Sequence, residues 1–185
     1  MAVGSTVFKF EVDLSDVDRG VYEYVSLDVA QHPSESDAWL VARVLAFLLE
    51  HTEGIAFSQG LKAGEEPAVW VHDLTGQLSA WIEVGTPDAT RLHKARKSCD
   101  RVVVYCHRGA DPWLASLQGQ RVHEAATIRL VLLDPRFVEA LAASLDRRNR
   151  WSVSVMEDTL YVESSDVTHQ TSHSAPLTRV PFPGR

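Results

Sequence analysis

The sequence contains little cysteine and no long apolar run. Only two of its 185 residues are cysteine, so we expect a reducing compartment rather than a scaffold of disulfides. These cysteines and the histidines also lack the short ligand spacing of a structural zinc site. The longest apolar stretch, near residues 40–49, is interrupted by Arg43 and is too short to cross a bilayer. Because the N-terminus shows no signal-peptide pattern, we expect a cytoplasmic protein without a membrane span.

Positive charge is also scarce, as are the common nucleotide-binding motifs. The formal net charge of −7 disfavours indiscriminate coating of nucleic acid. No P-loop, G-x-S-x-G or G-x-G-x-x-G motif is present, so nothing local favours a nucleoside triphosphatase, a serine hydrolase or a dinucleotide-binding protein. Two basic segments could bind a polyanion locally or could be solvated helix surfaces. They contain Arg91, Lys94, Arg96 and Lys97, and Arg147, Arg148 and Arg150.

The first half of the chain shows two strand patterns and then a helix pattern. Alternation of apolar and polar residues predicts an N-terminal hairpin over residues 6–29. Ser34 is a good helix N-cap, and the apolar spacing after it predicts a buried helix that ends near His51. A short strand near residues 55–57 should follow, leading into a second hairpin over residues 68–85.

The second half continues with helices and strands in turn. Thr86, Pro87 and Asp88 are typical of a helix start, and we expect that helix to run to about Cys99. A strand at 101–106 follows. The remaining predicted elements are, in chain order, a helix at 112–117, a strand at 128–132, a helix at 135–145 and a hairpin at 151–162. This order predicts an α/β fold with one mixed sheet flanked by helices. We expect a single domain over residues 1–185 with a loose polar tail over 164–185.

The second hairpin brings candidate functional residues together. Pairing across its turn sets Val71 near Ala80 and makes Glu66 a neighbour of Glu83. Asp73 lies beside the turn, about 17 Å of strand away from Glu83, and is expected to be a turn former. Two carboxylates at one strand end therefore mark the candidate site.

Two neighbouring carboxylates favour a cation or a proton between them. Oxygen ligands from Glu66 and Glu83, with the carbonyl of Val84, would suit Mg²⁺ or Mn²⁺. The alternative is that Glu66 is a solvated loop acid and that Glu83 is salt-bridged to Arg91. Spacing alone leaves both interpretations open.

The helix after the hairpin adds basic residues. A helical wheel places Arg91 and Lys94 on one flank, where a lysine could orient a water or stabilise a phosphate and an arginine could bind a phosphate or carboxylate. The same wheel places four residues on the buried face. They are Asp88, Leu92, Ala95 and Cys99.

Three segments resemble those of the bacterial YaeQ family. They are HPSES at residues 32–36, GLKAGEEPAVW at 60–70 and WIEVGTPDATRLHKA at 81–95. The resemblance runs over the whole chain. It implies a core similar to that of PD-(D/E)XK nucleases, the restriction endonuclease-like fold, over residues 34–106, with hairpins at both ends of the chain.

The resemblance also implies roles for individual residues. Glu66 would stand for the first acid of the nuclease motif, Glu83 for the second acid and Glu35 for the glutamate of the first helix. These would be metal ligands or their supports. Apart from the resemblance, the position of Asp88 at the helix start beside the two glutamates makes it a further supporting residue. Gly85 occupies the position of the nuclease lysine, and Lys94 is its candidate replacement.

Two functions follow as expectations. The first is a Mg²⁺- or Mn²⁺-dependent nuclease or phosphodiesterase, in which Glu66 and Glu83 bind the metal while Arg91 and Lys94 stabilise phosphate charge. The second is a nuclease-like scaffold that does not cut and that binds a nucleic acid or a protein. Gly85 and the acidic net charge favour the second.

Overall fold

The computed structural model describes residues 4–58, 66–165 and 170–183, in two compact units. The first unit comprises Met1–Val41 and Asp134–Leu177, and the second comprises Ala42–Leu133 and Thr178–Arg185. The boundary falls inside the first helix, and the single-domain assignment stays a prediction. The segment 60–65 of the resemblance lies outside the described residues.

Strands outnumber helices in the described residues. In chain order, the strands are β1 (Thr6–Asp16), β2 (Val21–Gln31), β3 (Ile55–Phe57), β4 (Val69–His72), β5 (Leu78–Val84), β6 (Arg101–Cys106), β7 (Arg129–Leu132), β8 (Arg148–Met156), β9 (Thr159–Ser165), β10 (Gln170–Pro176) and β11 (Thr178–Val180). The helices are α1 (Asp37–Leu49), α2 (Ala89–Ser98), α3 (Ala110–Leu117) and α4 (Pro135–Ala143).

The first unit is built on a five-stranded mixed sheet in the order β10-β9-β8-β1-β2. β1 pairs antiparallel with β2 and parallel with β8, which lies far away in the sequence. Every second residue of β1 and β8 is buried, and Phe10 meets Trp151 edge-to-face with ring centroids 5.0 Å apart. This alternation leaves the other face of the sheet polar.

The second unit holds a six-stranded mixed sheet in the order β11-β7-β6-β5-β4-β3. The neighbours β5, β6 and β7 are parallel, and the remaining pairs are antiparallel. One face carries a core in which Trp81 and Val104 pack with Leu92 of α2 and Leu117 of α3. The three parallel strands place the end of β5 beside the start of α2.

The structure corrects two predictions about the architecture. The strands form two mixed sheets instead of one, because the N-terminal hairpin pairs with β8 and β5 pairs with β6. The tail predicted to be loose after residue 164 contains β10, which pairs with β9, and β11, which pairs with β7. Polar strands at a sheet edge lack the hydrophobic signal that would have shown them.

No helix in the described parts of the chain is long and apolar enough to cross a membrane.

Gly54 occupies a position that has no room for a side chain. Its φ is +80°, its carbonyl accepts a hydrogen bond of 3.0 Å from His72 N, and a Cβ there would lie 1.9 Å from His72 O. Gly54→Ala should therefore lower the free energy of unfolding by about 2 kcal/mol or more, measured by urea denaturation. Gly119→Ala is the matched control, because Gly119 has a φ of +72° and nothing within 4 Å of its Cβ position. Equal losses in the two variants would contradict the role of the His72 contact.

Candidate functional site

The hairpin of β4 and β5 has the register that the sequence predicts. Val71 lies opposite Ala80, and Val69 lies opposite Ile82. Asp73 is confirmed as a turn former, since its carboxylate accepts hydrogen bonds from Thr75 and from Gln77 N at 2.9 Å. These bonds, led by that from the Thr75 hydroxyl, lower the pKa of Asp73. The hairpin therefore carries Glu83 to the end of β5 beside α2.

Glu83 is buried and is paired with Arg91. Its side chain lies on the same face of β5 as Trp81, and the residue is only 4% exposed. Arg91 donates from Nε to Glu83 Oε1 at 2.7 Å and from Nη2 to Oε2 at 3.2 Å. Trp81 Nε1 donates to the same Oε1 at 2.5 Å. Both carboxylate oxygens are thus satisfied by cationic or ring N–H donors.

Arg91 also reaches the main chain of Glu66. Its Nη2 donates to Glu66 O at 2.6 Å, so one guanidinium connects the beginning of the hairpin with the end of β5. The main chain of Arg91 is held in the first turn of α2, because Arg91 N donates to the N-cap carboxylate of Asp88 at 2.8 Å. Its Cζ lies 6.0 Å from the centroid of the Trp81 ring. Three oxygens, Glu83 Oε1, Glu83 Oε2 and Glu66 O, therefore surround the Arg91 guanidinium.

The electrostatics of Glu83 reflect two opposing influences. Burial raises the pKa of the Glu83 carboxyl above its usual value. Hydrogen bonds from Trp81 and Arg91, and the positive charge of Arg91, act in the opposite direction. The raised pKa shows that the two partners do not fully offset the loss of solvent.

The Glu66 side chain is placed differently from its main chain. The residue is half-buried, and Oε2 is buried without a hydrogen-bond partner in the described part of the chain. A buried oxygen of a carboxylate without a donor is costly unless a cation or a proton reaches it. Arg91 therefore connects the main chain of Glu66 with the carboxylate of Glu83, while Glu66 Oε2 stays without a described donor.

Lys94 and Asp88 lie at the surface of α2. Lys94 is exposed, and its carbonyl accepts a bond of 2.9 Å from the Ser98 hydroxyl. Asp88 is also exposed, so its predicted place on the buried face is wrong: it precedes the helix and caps it. Thr86 is not the N-cap for the same reason. Leu92 and Ala95 are confirmed as buried.

Gly85 has a main-chain conformation that disfavours the lysine which the nuclease resemblance would place at this position. Its φ is +101°, a conformation that a side chain would strain, and its N donates to Tyr105 O at 2.8 Å. Val84, the predicted carbonyl ligand, is the last residue of β5 and lies opposite Tyr105 in the register. A lysine at residue 85 would require a different path of the main chain.

Glu35 does not lie in the first helix. α1 begins at Asp37, and the Ser36 hydroxyl accepts from Trp39 N at 3.2 Å, so the predicted N-cap Ser34 is two residues too early. The Glu35 carboxylate instead accepts from His32 N at 3.0 Å in the preceding turn. The glutamate belongs to the first unit, whereas Glu83 belongs to the second.

Glu50 is a buried acid that sequence reasoning did not single out. It follows α1 and is 1% exposed. Tyr105 donates its hydroxyl to Glu50 Oε1 at 2.7 Å, Arg129 pairs with the same oxygen at 2.9 Å, and Arg101 pairs with Oε2. An acid that directly follows a mostly apolar helix was the available signal.

The described residues contain no group of three or more histidine, cysteine or acidic side chains arranged to hold a metal.

The two cysteines are hydrogen-bond donors. Cys99 Sγ lies 3.3 Å from Arg101 O, and Cys106 Sγ lies 3.3 Å from Arg108 O. Burial raises the pKa of both thiols, which makes them poor nucleophiles at neutral pH.

Comparison with known proteins gives one consistent result. A family model described as YaeQ protein matches residues 1–173. The chain is 29% identical over 164 residues to the uncharacterized protein YaeQ of Escherichia coli (strain K12), covering 88% of this chain and 90% of that protein. The crystal structure of YaeQ from Pseudomonas syringae is 32% identical, with a TM-score of 0.82 over 95% of this chain and 96% of that one. The structure of YaeQ from Xanthomonas axonopodis pv. citri is also 32% identical, with a TM-score of 0.80 over 98% and 99% of the two chains.

Proposed function

Because the chain belongs to the YaeQ family and its second hairpin resembles the nuclease motif, we propose that it is a metal-dependent phosphodiesterase or nuclease acting on nucleic acid. The observation that carries the proposal is the convergence of Glu83 Oε1, Glu83 Oε2 and Glu66 O on the Arg91 guanidinium. Oxygens that gather around one cation at a strand end are what a hard divalent metal requires.

The buried carboxylate oxygen of Glu66 is a second feature that supports a Mg²⁺ or Mn²⁺ site. Glu66 Oε2 is buried without a hydrogen-bond donor in the segments that the structure describes, so it is available to a cation. Glu66 and Glu83, with the carbonyl of Val84, would hold the metal. Bound there, it would supply a water of lowered pKa and neutralise charge on a phosphate.

The chain's own basic residues have separate roles in this proposal. Without a metal, Arg91 neutralises Glu83. Once a metal took over that role, the forked guanidinium of Arg91 would be suited to bind two oxygens of a phosphate. Lys94 lies one helical turn further, is exposed, and attracts the polyanion. Asp88 fixes the first turn of α2 and thereby the position of Arg91.

Metal binding is the first test of this function. Titration calorimetry with Mg²⁺ and with Mn²⁺ should show binding to the native protein, at least about tenfold weakened in Glu66→Gln, which removes a charged oxygen but leaves the main-chain bond to Arg91. Glu139→Gln, at an exposed glutamate on α4, is the matched control and should bind as the native protein does.

Cleavage of single- and double-stranded DNA and RNA is then measured with each metal, and cleavage unchanged in Glu83→Ala would reject the proposed active site.

A second candidate is a scaffold that binds a nucleic acid or a protein without cutting. The specific observation in its favour is the closed Glu83–Arg91 ion pair beside Gly85, where the nuclease lysine is missing. Calorimetry without any heat of metal binding, together with retention of labelled oligonucleotides in a gel-shift assay, would favour this candidate over the first.

A further inference from the structure

The outer face of the first unit's sheet carries exposed tyrosines on two strands. Tyr22 and Tyr24 on β2 are 63% and 64% exposed, and Tyr161 on β9 is 39% exposed. The two strands are separated by β1 and β8 in the sheet order, which is three strand spacings or about 14 Å. Exposed tyrosines at this density are typical of interaction surfaces.

Between the tyrosines, the sheet presents small side chains. The register aligns Tyr22, Ser15, Ser154 and Tyr161 in one row across the four strands. Serine is much shorter than tyrosine, so in this row β1 and β8 form the floor of a trench whose walls are the tyrosines of β2 and β9. The spacing of about 14 Å between the two tyrosine-bearing strands is wide enough for one extended chain.

The next row of the trench is acidic. It aligns Tyr24, Asp13, Ser152 and Glu163, and a cavity of about 310 Å³ opens over Ser152. Glu11 and Arg150 also line this cavity, so three carboxylates face one guanidinium. Glu11 is held in place by the Tyr24 hydroxyl and by Ser26 Oγ at 3.4 Å.

From this face we propose that an extended, basic segment of a partner protein lies in the trench, with a lysine or arginine side chain in the cavity beside Asp13 and Glu163. The three carboxylates and one guanidinium that line the cavity give it a formal net charge of −2, which matches a cationic side chain and repels a phosphate backbone. Tyr24, which lines the cavity, offers an aromatic ring to the aliphatic stem of that side chain. The surface lies wholly within the first unit, whereas Glu83 belongs to the second.

Peptide display tests this surface directly. A library of short random peptides selected on the full-length protein should yield sequences enriched in lysine or arginine. A synthetic peptide from that selection, followed by fluorescence anisotropy, should bind about tenfold more weakly to the double variant Asp13→Asn, Glu163→Gln, because two exposed charges are lost. Binding should also weaken as ionic strength rises.

Matched variants make each outcome decisive. Glu139→Gln removes an equally exposed carboxylate on α4 and should leave the peptide affinity unchanged, and circular dichroism verifies that all variants are folded. Recovery of peptides without basic enrichment, or equal affinity for the native protein and the double variant, would overturn the proposal. Free arginine that competes at the same concentration as the peptide would also overturn it, since the cavity would then be a small-molecule site.

Discussion

Arg91→Met is expected to lower the free energy of unfolding by about 3 kcal/mol at neutral pH. The substitution keeps most of the aliphatic stem but leaves the Glu83 carboxylate, which is 4% exposed, with the Trp81 N–H as its remaining described donor. An uncompensated buried charge is one of the few causes of losses this large. Urea denaturation followed by tryptophan fluorescence measures the effect.

The same variant should show a characteristic dependence on pH. Burial already raises the pKa of Glu83, and loss of Arg91 removes the strongest opposing charge, so the pKa of Glu83 rises further. A carboxyl whose pKa is higher in the folded state adds stability at low pH, and that contribution is lost as the pH rises from the unfolded-state pKa through the folded-state pKa. The difference between native protein and variant should therefore be large near pH 8 and smaller near pH 5.

Lys94→Met is the control for this effect, because it removes a positive charge from the same helix at an exposed position. It should change the free energy of unfolding by less than about 0.5 kcal/mol. A loss in Arg91→Met that is no larger than in Lys94→Met, or that does not vary with pH, would show that the Glu83–Arg91 pair carries little of the stability of this region.

The local part of the candidate site could be predicted from the sequence. A turn centred on Thr75 and Gly76, together with the two-residue repeat of a strand, predicts which residues face each other, and the structure has the predicted pairing of Val71 with Ala80. The ion pair of Glu83 with Arg91 is the alternative to a metal that the spacing left open, and the structure contains it. Both steps depend on residues that are close in the chain.

Long-range pairing could not be predicted in this way. The parallel pairing of β1 with β8 joins segments at opposite ends of the sequence, and nothing in either segment's alternation specifies the other. The wrong prediction of one sheet instead of two results from missing this pairing. The polar strands β10 and β11 were missed because edge strands bury few apolar side chains.

Glu50 illustrates the same limit at the level of one residue. Its partners Arg101, Tyr105 and Arg129 lie 51, 55 and 79 residues further along the chain. Each looks ordinary in its own strand: Arg101 begins β6 and Arg129 begins β7. The parallel pairing of these strands brings both arginines beside the end of α1, where they neutralise the buried carboxylate.

Glu50→Ala is accordingly expected to lower the free energy of unfolding by about 3 kcal/mol. It removes the acceptor of the Tyr105 hydroxyl, whose residue is 2% exposed, and leaves two guanidinium groups without their shared counter-ion. Those arginines are 41% and 49% exposed and can turn to solvent, so the lost hydrogen bond of the Tyr105 hydroxyl and the vacated volume dominate the loss. Thermal and urea denaturation of the two proteins give the difference.

Two further variants separate these contributions. Tyr105→Phe removes the hydroxyl but keeps both ion pairs, and should cost about 1 kcal/mol. Combined with Glu50→Ala it should cost less than the sum of the single effects, because both substitutions remove the same hydrogen bond. Added salt should change the Glu50→Ala loss little, since the carboxylate is buried and poorly screened. Strict additivity in this cycle would mean that the Tyr105–Glu50 bond does not couple α1 to β6.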